Sequence, residues 1–342
     1  MLRVGVIGYG YWGPNLARCL FEVGTARVVS ISDRRREALA RAVVRFPNAQ
    51  LSEDYRDILG DSAIDAVAIA TPVHTHFELA LAALRAGKHV WLEKPMCQTS
   101  TEARRLIDEA EQRNLVLLVD HTFVYTPSVR KLRELIAAEE LGDLYYYDSI
   151  RVNLGLFQHD VNVVWDLAVH DFSILEHLVK ERPIAISANG ASHLHSTPES
   201  MAYITLFYNS GMIAHLNVNW LAPVKVRQTL IGGSRKMIVY DDLEPSEKIK
   251  VYDKGVKVNQ SPEQIYQTLI EYRTGDMWAP HLSTKEALHT EAQHFVDCIE
   301  NGSAPITDGA MGLRVVELME AASQSMRQRG HPAELSAVRR AS

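Results

Sequence analysis

Three closely spaced glycines near the start of the chain constrain its fold more than any other feature. Residues 4–15 read VGVIGYGYWGPN. An apolar strand there ends at Gly8, Gly10 and Gly13, and a helix is predicted directly after the last glycine. The first glycine permits a tight turn, the second lets the backbone approach phosphate oxygens, and the third lets helix and strand pack closely. The helix N-terminus adds unpaired N–H groups, so the segment predicts a pyrophosphate-binding turn.

A carboxylate stands where the second strand of such a unit should end. Residues 27–32 form an apolar strand, and Asp33 follows it about 20 residues after the last glycine. An aspartate in this position accepts hydrogen bonds from the ribose hydroxyls of NAD and repels a 2′-phosphate. We therefore expect NAD in preference to NADP, although Arg34 and Arg35 follow directly and could turn toward a phosphate.

Strands and helices alternate from the first residues to about residue 122. The patterns predict further strands over 65–70, 89–92 and 115–119 and helices over 15–23, 35–45, 78–86 and 101–113, the last capped by Ser100 or Thr99. Apolar strands that alternate with helices are typical of a parallel sheet covered on both faces. Residues 1–122 are therefore predicted to form a doubly wound α/β domain that binds ligands at the carboxyl ends of its strands.

Beyond residue 122 the apolar residues follow a period of two. One segment alternates between an apolar set, Met212, Ala214, Leu216, Val218 and Trp220, and a second set, Ile213, His215, Asn217 and Asn219. Further strands are predicted over 144–153, 185–191, 201–208, 225–231 and 236–240, and helices over 126–138, 163–178, 284–300 and 308–329. Residues 123–342 are therefore predicted to form an α+β domain with an open, mainly antiparallel sheet, with the option that the two late helices pack back on the first domain. We expect a partner subunit or the substrate to cover the polar face of this sheet.

The composition fits a soluble protein with two hydrophobic cores. The chain has 342 residues, of which 46% are hydrophobic and 23% charged, and its formal net charge is −6. A chain of this length usually divides into two domains, and the acidic balance argues against a nucleic-acid partner. The three cysteines form no C-x-x-C pair, so neither a disulfide framework nor a zinc site is indicated. Without a basic leader or a membrane-length apolar run, the sequence predicts a cytoplasmic protein.

Two short segments carry residues with catalytic chemistry. Lys94 follows Glu93 at the carboxyl end of a predicted strand, where its ammonium group could hold a hydroxyl; the alternative is an ordinary surface lysine. Asp166 and His170 lie four residues apart in a predicted helix and so share one face. A histidine with a carboxylate neighbour is a candidate proton acceptor, whereas the alternative is a buried structural histidine. One Asp and one His are too few ligands to indicate a metal.

Together these motifs resemble the Gfo/Idh/MocA family of oxidoreductases over nearly the whole chain. The matching motifs are the glycine turn, Thr71-Pro72 followed by His76, Glu93-Lys94-Pro95, and the Asp-x-x-x-His pair that opens a helix in the second domain. The resemblance implies a Rossmann domain that binds NAD, followed by a substrate domain. It also implies that the sheet of the second domain forms homodimers or homotetramers.

The resemblance gives the predicted site residues their roles. The catalytic group is Lys94, Asp166 and His170. The cofactor-binding residues are Gly8, Gly10, Tyr11, Trp12, Gly13, Asp33, Arg34, Thr71, Pro72, His76, Glu93 and Lys94, of which Thr71, Pro72 and His76 form a loop that passes beneath the cofactor. The expected substrate contacts are His121, Thr122, Asn153, Asp166 and His170.

Departures from the family pattern bear on the substrate. Many relatives carry a glycine-rich run before the catalytic Asp, whereas this chain reads DVNVVW at 160–165, and the segment at 120–123 reads DHTF. These differences argue against a simple inositol or glucose substrate. The GYWGPN turn at 10–15 and the WDLAVHD segment at 165–171 resemble a bacterial branch found near surface-polysaccharide genes. This resemblance implies hydride transfer between NAD and a ring carbon of a nucleotide-linked sugar of the UDP-N-acetylhexosamine type. The alternatives are a dehydrogenase of free sugars or polyols and a non-catalytic NAD(H)-binding regulator.

Overall fold

The computed structural model of the chain describes residues 1–155, 161–193, 198–253, 255–258, 270–273 and 275–335. Asp160, the first residue of the DVNVVW segment, lies outside these described residues. The chain divides into two compact units. The first contains Met1–Thr126 and Thr284–Glu320, and the second contains Pro127–Ser283 and Ala321–Ser342. None of the described helices is long and apolar enough to cross a membrane.

The first unit contains a parallel sheet formed by the N-terminal part of the chain. Its strands are β1 (Leu2–Ile7), β2 (Ala26–Ser32), β3 (Gln50–Ser52), β4 (Ala66–Ile69), β5 (His89–Glu93) and β6 (Leu117–Asp120). They lie in the order β3-β2-β1-β4-β5-β6, with parallel pairing throughout. This is the strand order of a Rossmann sheet, in which the direction of winding reverses between β1 and β4. The predicted fold is therefore confirmed, although no pattern predicts the short strand β3.

Helices connect the strands of this sheet. They are α1 (Gly13–Glu22), α2 (Arg36–Arg45), α3 (Arg56–Gly60), α4 (His76–Arg85) and α5 (Ser100–Gln112). All four residues of β4 are buried, as expected for a central strand covered on both faces. Pro14 lies in the first turn of α1, where its missing N–H costs nothing. Thr99, one of the two predicted caps, forms a capping box with Glu102 at the start of α5.

The second unit contains a mixed sheet. Its strands are β7 (Leu144–Leu154), β8 (Ala185–Ala191), β9 (Met201–Phe207), β10 (Ile213–Asn219), β11 (Leu221–Gly233), β12 (Met237–Asp241), β13 (Ile249–Tyr252), β16 (Met277–Trp278) and β17 (Ala333–Glu334). Strands β14 (Gly255–Val258) and β15 (Ile270–Arg273) form a separate pair. Across the described residues the order is β16-β13-β12-β11-β7-β10-β9-β8-β17. Only β10 and β7 pair in parallel among these described strands. The prediction of a mainly antiparallel sheet is confirmed.

Strand β10 shows the predicted alternation of its side chains. The apolar set, Met212, Ala214, Leu216, Val218 and Trp220, is buried. On the other face Ile213 is exposed, and His215 is partly exposed. The His215 ring stacks on Tyr203 of β9, and its Nδ1 lies 3.2 Å from Oδ1 of Asp148 in β7. Polar and aromatic groups on this face therefore contact one another within the single chain, and the face stays partly exposed.

A buried ion pair joins the central strand of the second unit to a helix. Helices α6 (Pro127–Ala137) and α7 (Val169–Leu178) belong to this unit, and a π-helical turn over Val164–Ala168 leads directly into α7. In α7 the carboxylate of Asp171 accepts hydrogen bonds from Arg151 Nε at 2.6 Å and Ser149 Oγ at 2.8 Å, both in β7. All three residues are buried. Removing one partner would leave a buried charge uncompensated, so this pair fixes the start of α7 against β7.

Two long helices lie between β16 and β17 in the chain. They are α8 (Ala287–Asn301) and α9 (Gly309–Arg327). Helix α8 belongs to the first unit, whereas α9 begins in the first unit and ends in the second. In the first unit, Leu288, Ala292 and Phe295 of α8 are buried in one hydrophobic cluster with Leu16 and Leu20 of α1. This cluster brings a late segment of the chain into the core of the N-terminal unit.

Candidate active site

The glycine turn packs backbone against backbone. Gly8 has a φ of +93°, and a Cβ there would lie 2.5 Å from the carbonyl oxygen of Ala70. A Cβ on Gly13 would lie 2.0 Å from the carbonyl oxygen of Gly8, and one on Gly10 would lie 3.1 Å from Nη2 of Arg35. The turn therefore has no room for a side chain at Gly8 or Gly13, where it joins β1 to α1. Bare backbone at a helix N-terminus fits the pyrophosphate of a dinucleotide.

Asp33 lies directly after β2, and its carboxylate is fully engaged. Oδ2 accepts hydrogen bonds from the Tyr9 backbone N–H at 2.8 Å and Arg35 Nη2 at 2.9 Å, and Oδ1 accepts from the Arg35 backbone N–H at 2.9 Å and Nε at 3.0 Å. A carboxylate offers about four acceptor sites, so these bonds fill them. Burial opposes the charged form, but the hydrogen bonds from Arg35 and Tyr9 outweigh it and lower the pKa of Asp33. The Arg35 side chain is 59% exposed and can leave Asp33 without disturbing the core.

His76 ties together the loops that follow β4 and β5. Its Nδ1 lies 2.8 Å from the carbonyl oxygen of Pro95, and its Nε2 lies 2.8 Å from the carbonyl oxygen of Thr71. A neutral imidazole has one N–H and can donate to only one of these carbonyls at a time. Burial lowers the pKa of His76, although both carbonyls favour the charged form. The ring therefore acts as a fixed link between the Thr71-Pro72 loop and the segment that carries Lys94.

Two acidic residues end neighbouring strands beside Lys94. Glu93 and Asp120 are register partners in β5 and β6. Burial and then the charge of Asp120 raise the pKa of Glu93 well above its ordinary value, against the effect of the Lys94 ammonium. Burial also raises the pKa of Asp120, whose carboxylate accepts hydrogen bonds from Trp12 Nε1 at 2.7 Å and Thr122 Oγ1 at 2.5 Å. Lys94 thus lies within electrostatic reach of two poorly solvated carboxyl groups.

A third acid at this edge was not predicted as a site residue. Glu291 of α8 is completely buried, and its pKa is raised well above the ordinary value by burial and then by the neighbouring Asp120. Its sequence position carries a signal, because it lies three residues after Leu288 and four before Phe295, on the apolar face of a predicted helix. An acid on such a face needs a partner in the core.

His121, a predicted substrate contact, is a buried neutral histidine directly after β6. Burial and then the Lys94 ammonium lower the pKa of His121 to about 3. Neither ring nitrogen makes a hydrogen bond to any other residue that the structure describes. A neutral imidazole in this state offers one donor and one acceptor. Thr122, the other predicted contact in this segment, uses its hydroxyl to bind Asp120.

The second unit holds the predicted Asp-His pair. Asp166 lies in the π-helical turn, and its Oδ2 accepts a hydrogen bond from Trp220 Nε1 at 2.9 Å. His170 follows in the first turn of α7 and is partly exposed. Single π-helical turns within helices occur often at functional sites. Asn153, a further predicted substrate contact, lies in β7 and is partly exposed.

The remaining predicted cofactor residues lie near the surface of the first unit. Tyr11 is 91% exposed, and Arg34 and Pro72 are exposed. Thr71 is partly exposed, and its hydroxyl accepts a hydrogen bond from Thr75 Oγ1 at 2.7 Å. Within the first unit the structure thus brings the glycine turn, the carboxyl ends of β2, β4, β5 and β6, and their predicted residues to one edge of the sheet.

One group among the described residues has ligand atoms close enough to hold a metal ion. It consists of Cys19, Glu22 and Glu286. Arg18 pairs with both carboxylates, at 2.8 Å to Glu22 and 2.5 Å to Glu286. Burial raises the pKa of the Cys19 thiol to about 12, which disfavours the thiolate form that ligates metals. The guanidinium of Arg18 already occupies both carboxylates and offsets part of their charge.

The fold and the glycine turn define the class of protein as a dinucleotide-binding protein. The family model described as "Oxidoreductase family, NAD-binding Rossmann fold" matches residues 2–121, and the "GFO/IDH/MocA C-terminal domain" model matches residues 129–239. The chain belongs to the Gfo/Idh/MocA family and is an NAD(P)-dependent dehydrogenase. The resemblance and the prediction of an oxidoreductase are thereby confirmed.

Relatives in this family match almost the full length of the chain. The chain is similar to a myo-inositol 2-dehydrogenase of Thermotoga maritima, with 23% identity over 96% of this chain and 97% of that one. It is also similar to a UDP-N-acetylglucosamine 3-dehydrogenase of Acidithiobacillus ferrooxidans, with 27% identity over 92% of this chain and 94% of that one. A solved structure of levoglucosan dehydrogenase in complex with NADH and levoglucosan has a TM-score of 0.82 at 21% identity, covering 98% and 100% of the two chains. This last likeness supports the fold alone.

The close approach at Gly13 predicts a specific loss on substitution. In Gly13→Ala the new methyl group would collide with the Gly8 carbonyl, so the turn must open. We expect dinucleotide affinity to fall at least about tenfold in a direct binding titration. Gly60→Ala is the matched control, because a Cβ there meets no atom within 4 Å, and it should bind like wild type. Equal affinity of Gly13→Ala and wild type would contradict the assignment of this turn to the pyrophosphate.

Proposed function

We propose that the protein is an NAD-dependent oxidoreductase of a nucleotide-linked sugar, of the UDP-N-acetylhexosamine type, in bacterial surface-polysaccharide biosynthesis. The observation that carries the proposal is the presence of Lys94, Asp166 and His170 in a chain of this family. The similarity to a UDP-N-acetylglucosamine 3-dehydrogenase over 92% of the chain supports the sugar class. The three cysteines are free and buried, which supports a reducing location such as the cytoplasm.

The proposed reaction moves a hydride between the nicotinamide and a ring carbon of the sugar. The bound nicotinamide supplies the redox chemistry, and the protein supplies position and charge. His170 accepts the proton of the hydroxyl that is oxidised, because a partly exposed imidazole is a suitable base near neutral pH. Asp166, held by the Trp220 indole, orients His170. Lys94 polarises the same oxygen and holds the cofactor ribose.

His121 fits a substrate contact in this proposal. It is neutral, and its ring nitrogens make no hydrogen bond to the other described residues, so it can donate one hydrogen bond and accept another. Sugar hydroxyls offer both kinds of partner. Asn153, which is partly exposed in β7, is proposed as a second polar contact.

Two other functions are compatible with the fold. An enzyme that acts on free sugars or polyols is supported by the similarity to a myo-inositol dehydrogenase. A regulator that binds NAD(H) without turnover would need the glycine turn but not Lys94 and His170, so their presence weighs against it.

A titration experiment separates these three functions. The NADH-bound protein is titrated with UDP-N-acetylglucosamine, free N-acetylglucosamine and myo-inositol, and cofactor fluorescence and turnover are the readouts. We expect turnover with the UDP-sugar; turnover with only free sugars, or binding without turnover, would contradict the proposal.

The catalytic assignment predicts different effects of two substitutions. His170→Ala should lower turnover by about 10²–10⁴-fold and leave NADH affinity unchanged, because general acid–base catalysis typically contributes this much. Lys94→Ala should lower turnover and also weaken NADH binding, since its ammonium serves both the ribose and the reacting oxygen. Steady-state kinetics and a separate binding titration measure the two effects. His281→Ala and Lys180→Ala, at exposed positions, are the controls. Wild-type turnover in His170→Ala would contradict the catalytic assignment and indicate that this histidine has a structural role.

The proposed preference for NAD over NADP depends on Asp33 and Arg35. Ribose hydroxyls must displace the two side-chain bonds from Arg35 to reach the Asp33 carboxylate, and the released guanidinium could serve a 2′-phosphate. We expect NADH to bind more tightly than NADPH. In Arg35→Ala this ratio should widen by about tenfold, because the competitor for Asp33 and the phosphate partner are lost together. Arg36→Ala, which loses only its exposed pair with Glu53, is the control. Tighter binding of NADPH to wild type would overturn the preference.

We propose that a second copy of the chain covers the open face of the second sheet, to give a homodimer or a homotetramer. This face carries Tyr203, Ile213 and His215, which are exposed or partly exposed in the single chain. Ile213→Glu should shift the assembly toward monomers, because it places a charge on this face. Analytical ultracentrifugation at micromolar concentration measures the shift, and Val44→Glu on the exposed side of α2 is the control. A wild-type monomer would contradict the proposal.

A further inference from the structure

Glu291 is a fully buried acid that the proposed catalytic group does not use. Both of its carboxyl oxygens are sealed from solvent, and neither accepts a hydrogen bond from an N–H or O–H donor of another described residue. The groups that act on its pKa are Asp120, Glu93 and the Thr122 hydroxyl. An ionised carboxylate in this position would be both poorly solvated and repelled by its neighbours. Glu291 is therefore a neutral carboxylic acid in the folded protein.

A neutral carboxylic acid has one O–H donor, and the arrangement of the site offers it one strong acceptor. The carboxylate of Asp120 already accepts hydrogen bonds from Trp12 Nε1 and Thr122 Oγ1. Two of its approximately four acceptor sites are therefore filled, and room for a third bond remains. Burial raises the pKa of Asp120, but the hydrogen bonds from Thr122 and Trp12 and the charge of the Lys94 ammonium act against burial and favour its ionised form. Asp120 is thus the ionised member of the pair, and Glu291 is the proton donor.

The indole that Asp120 holds belongs to the glycine turn. The Trp12 carbonyl accepts hydrogen bonds from the backbone N–H groups of Asn15 at 2.8 Å and Leu16 at 3.3 Å, which form the first turn of α1. Fixing the Trp12 side chain therefore fixes the residue at which helix α1 begins. The unpaired N–H groups of this helix end are the ones expected to meet a pyrophosphate.

We propose that Glu291 is a positioning residue of the dinucleotide site: its neutral carboxyl group donates a hydrogen bond to the Asp120 carboxylate, and Asp120 in turn holds the Trp12 indole and the first turn of α1. Glu291 touches neither cofactor nor substrate and acts through Asp120. The effect on cofactor affinity rests on the dinucleotide-binding part of the proposed function. The series of hydrogen bonds from Glu291 through Asp120 to Trp12 can be tested in the protein without any ligand.

The experiment uses the indole N–H resonance of Trp12 in the ligand-free protein, assigned among the five tryptophans by its absence in Trp12→Phe. Glu291→Gln keeps a donor of the same shape and should leave this resonance close to its wild-type position. Glu291→Leu removes the donor and should shift the resonance. Glu300→Gln, an exposed acid on the same helix, is the control. A resonance displaced as far in Glu291→Gln as in Glu291→Leu would mean that an ionised carboxylate is required, and an unmoved resonance in Glu291→Leu would mean that Glu291 does not act on Trp12.

A binding titration with NADH provides the second readout. Glu291→Leu should weaken NADH binding by about tenfold and Glu291→Gln by less than about threefold, in keeping with the net worth of one hydrogen bond. In a Trp12→Phe background the Glu291→Leu change should have little further effect on NADH affinity, because the two residues act through the same series of hydrogen bonds. Full additivity of the two changes would overturn the inference. If Glu291→Leu does not fold, Glu291→Met, which also lacks the donor, takes its place in both readouts. Absence of NADH binding in wild type would contradict the proposed function and leave the reading of the indole resonance intact.

Discussion

The first unit depends on the close approach of two backbone segments, the Gly8 carbonyl and Gly13. The distance leaves no space for a Cβ on Gly13, and a Cβ on Gly8 would meet the Ala70 carbonyl, so α1 can leave β1 at this angle only if both positions lack a side chain. The approach directs the N-terminus of α1 toward the edge at which β2, β4, β5 and β6 end. Asp33, Thr71, Lys94 and Asp120 lie at or directly after these strand ends. The glycine turn and the parallel sheet therefore bring these side chains to one edge of the unit.

Gathering these groups at one edge creates an electrostatic problem. Glu93, Asp120 and Glu291 lie together where water is scarce, and Lys94 is the cation that acts on Glu93 and Asp120. Three ionised acids would be far too costly in such a place, so raised pKa values hold part of the group in the neutral form. The charged Asp120 is then available both to the Trp12 indole and to Lys94. Lys94 thus faces one ionised acid, Asp120. Because the other acids are neutral, they do not surround the lysine with excess negative charge.

The sequence was sufficient for features that depend on local pattern. Apolar strands alternating with helices predicted the parallel sheet, the period of two in β10 predicted its buried face, and Thr99 was one of two predicted caps. It was insufficient where a residue's partner lies far away in the chain. The sequence around Asp33 does not indicate that Tyr9 and Arg35 fill its acceptor sites. The filling of these sites depends on how the turns pack. Glu291 lies 171 positions after Asp120, and only its place on an apolar helix face marks it.

The second unit shows how adjacent residues of one motif take different tasks. His170 and Asp171 are neighbours in the WDLAVHD segment, and the sequence pairs the histidine with Asp166, four residues before it. In the structure Asp171 is buried and bound to Arg151 and Ser149, whereas Asp166 lies in the π-helical turn with its carboxylate on Trp220. The buried pair anchors α7 to β7, and the turn before it presents Asp166 on a separate support. A proton acceptor gains from such anchoring, because catalysis falls steeply when a reacting group is misplaced by about 1 Å.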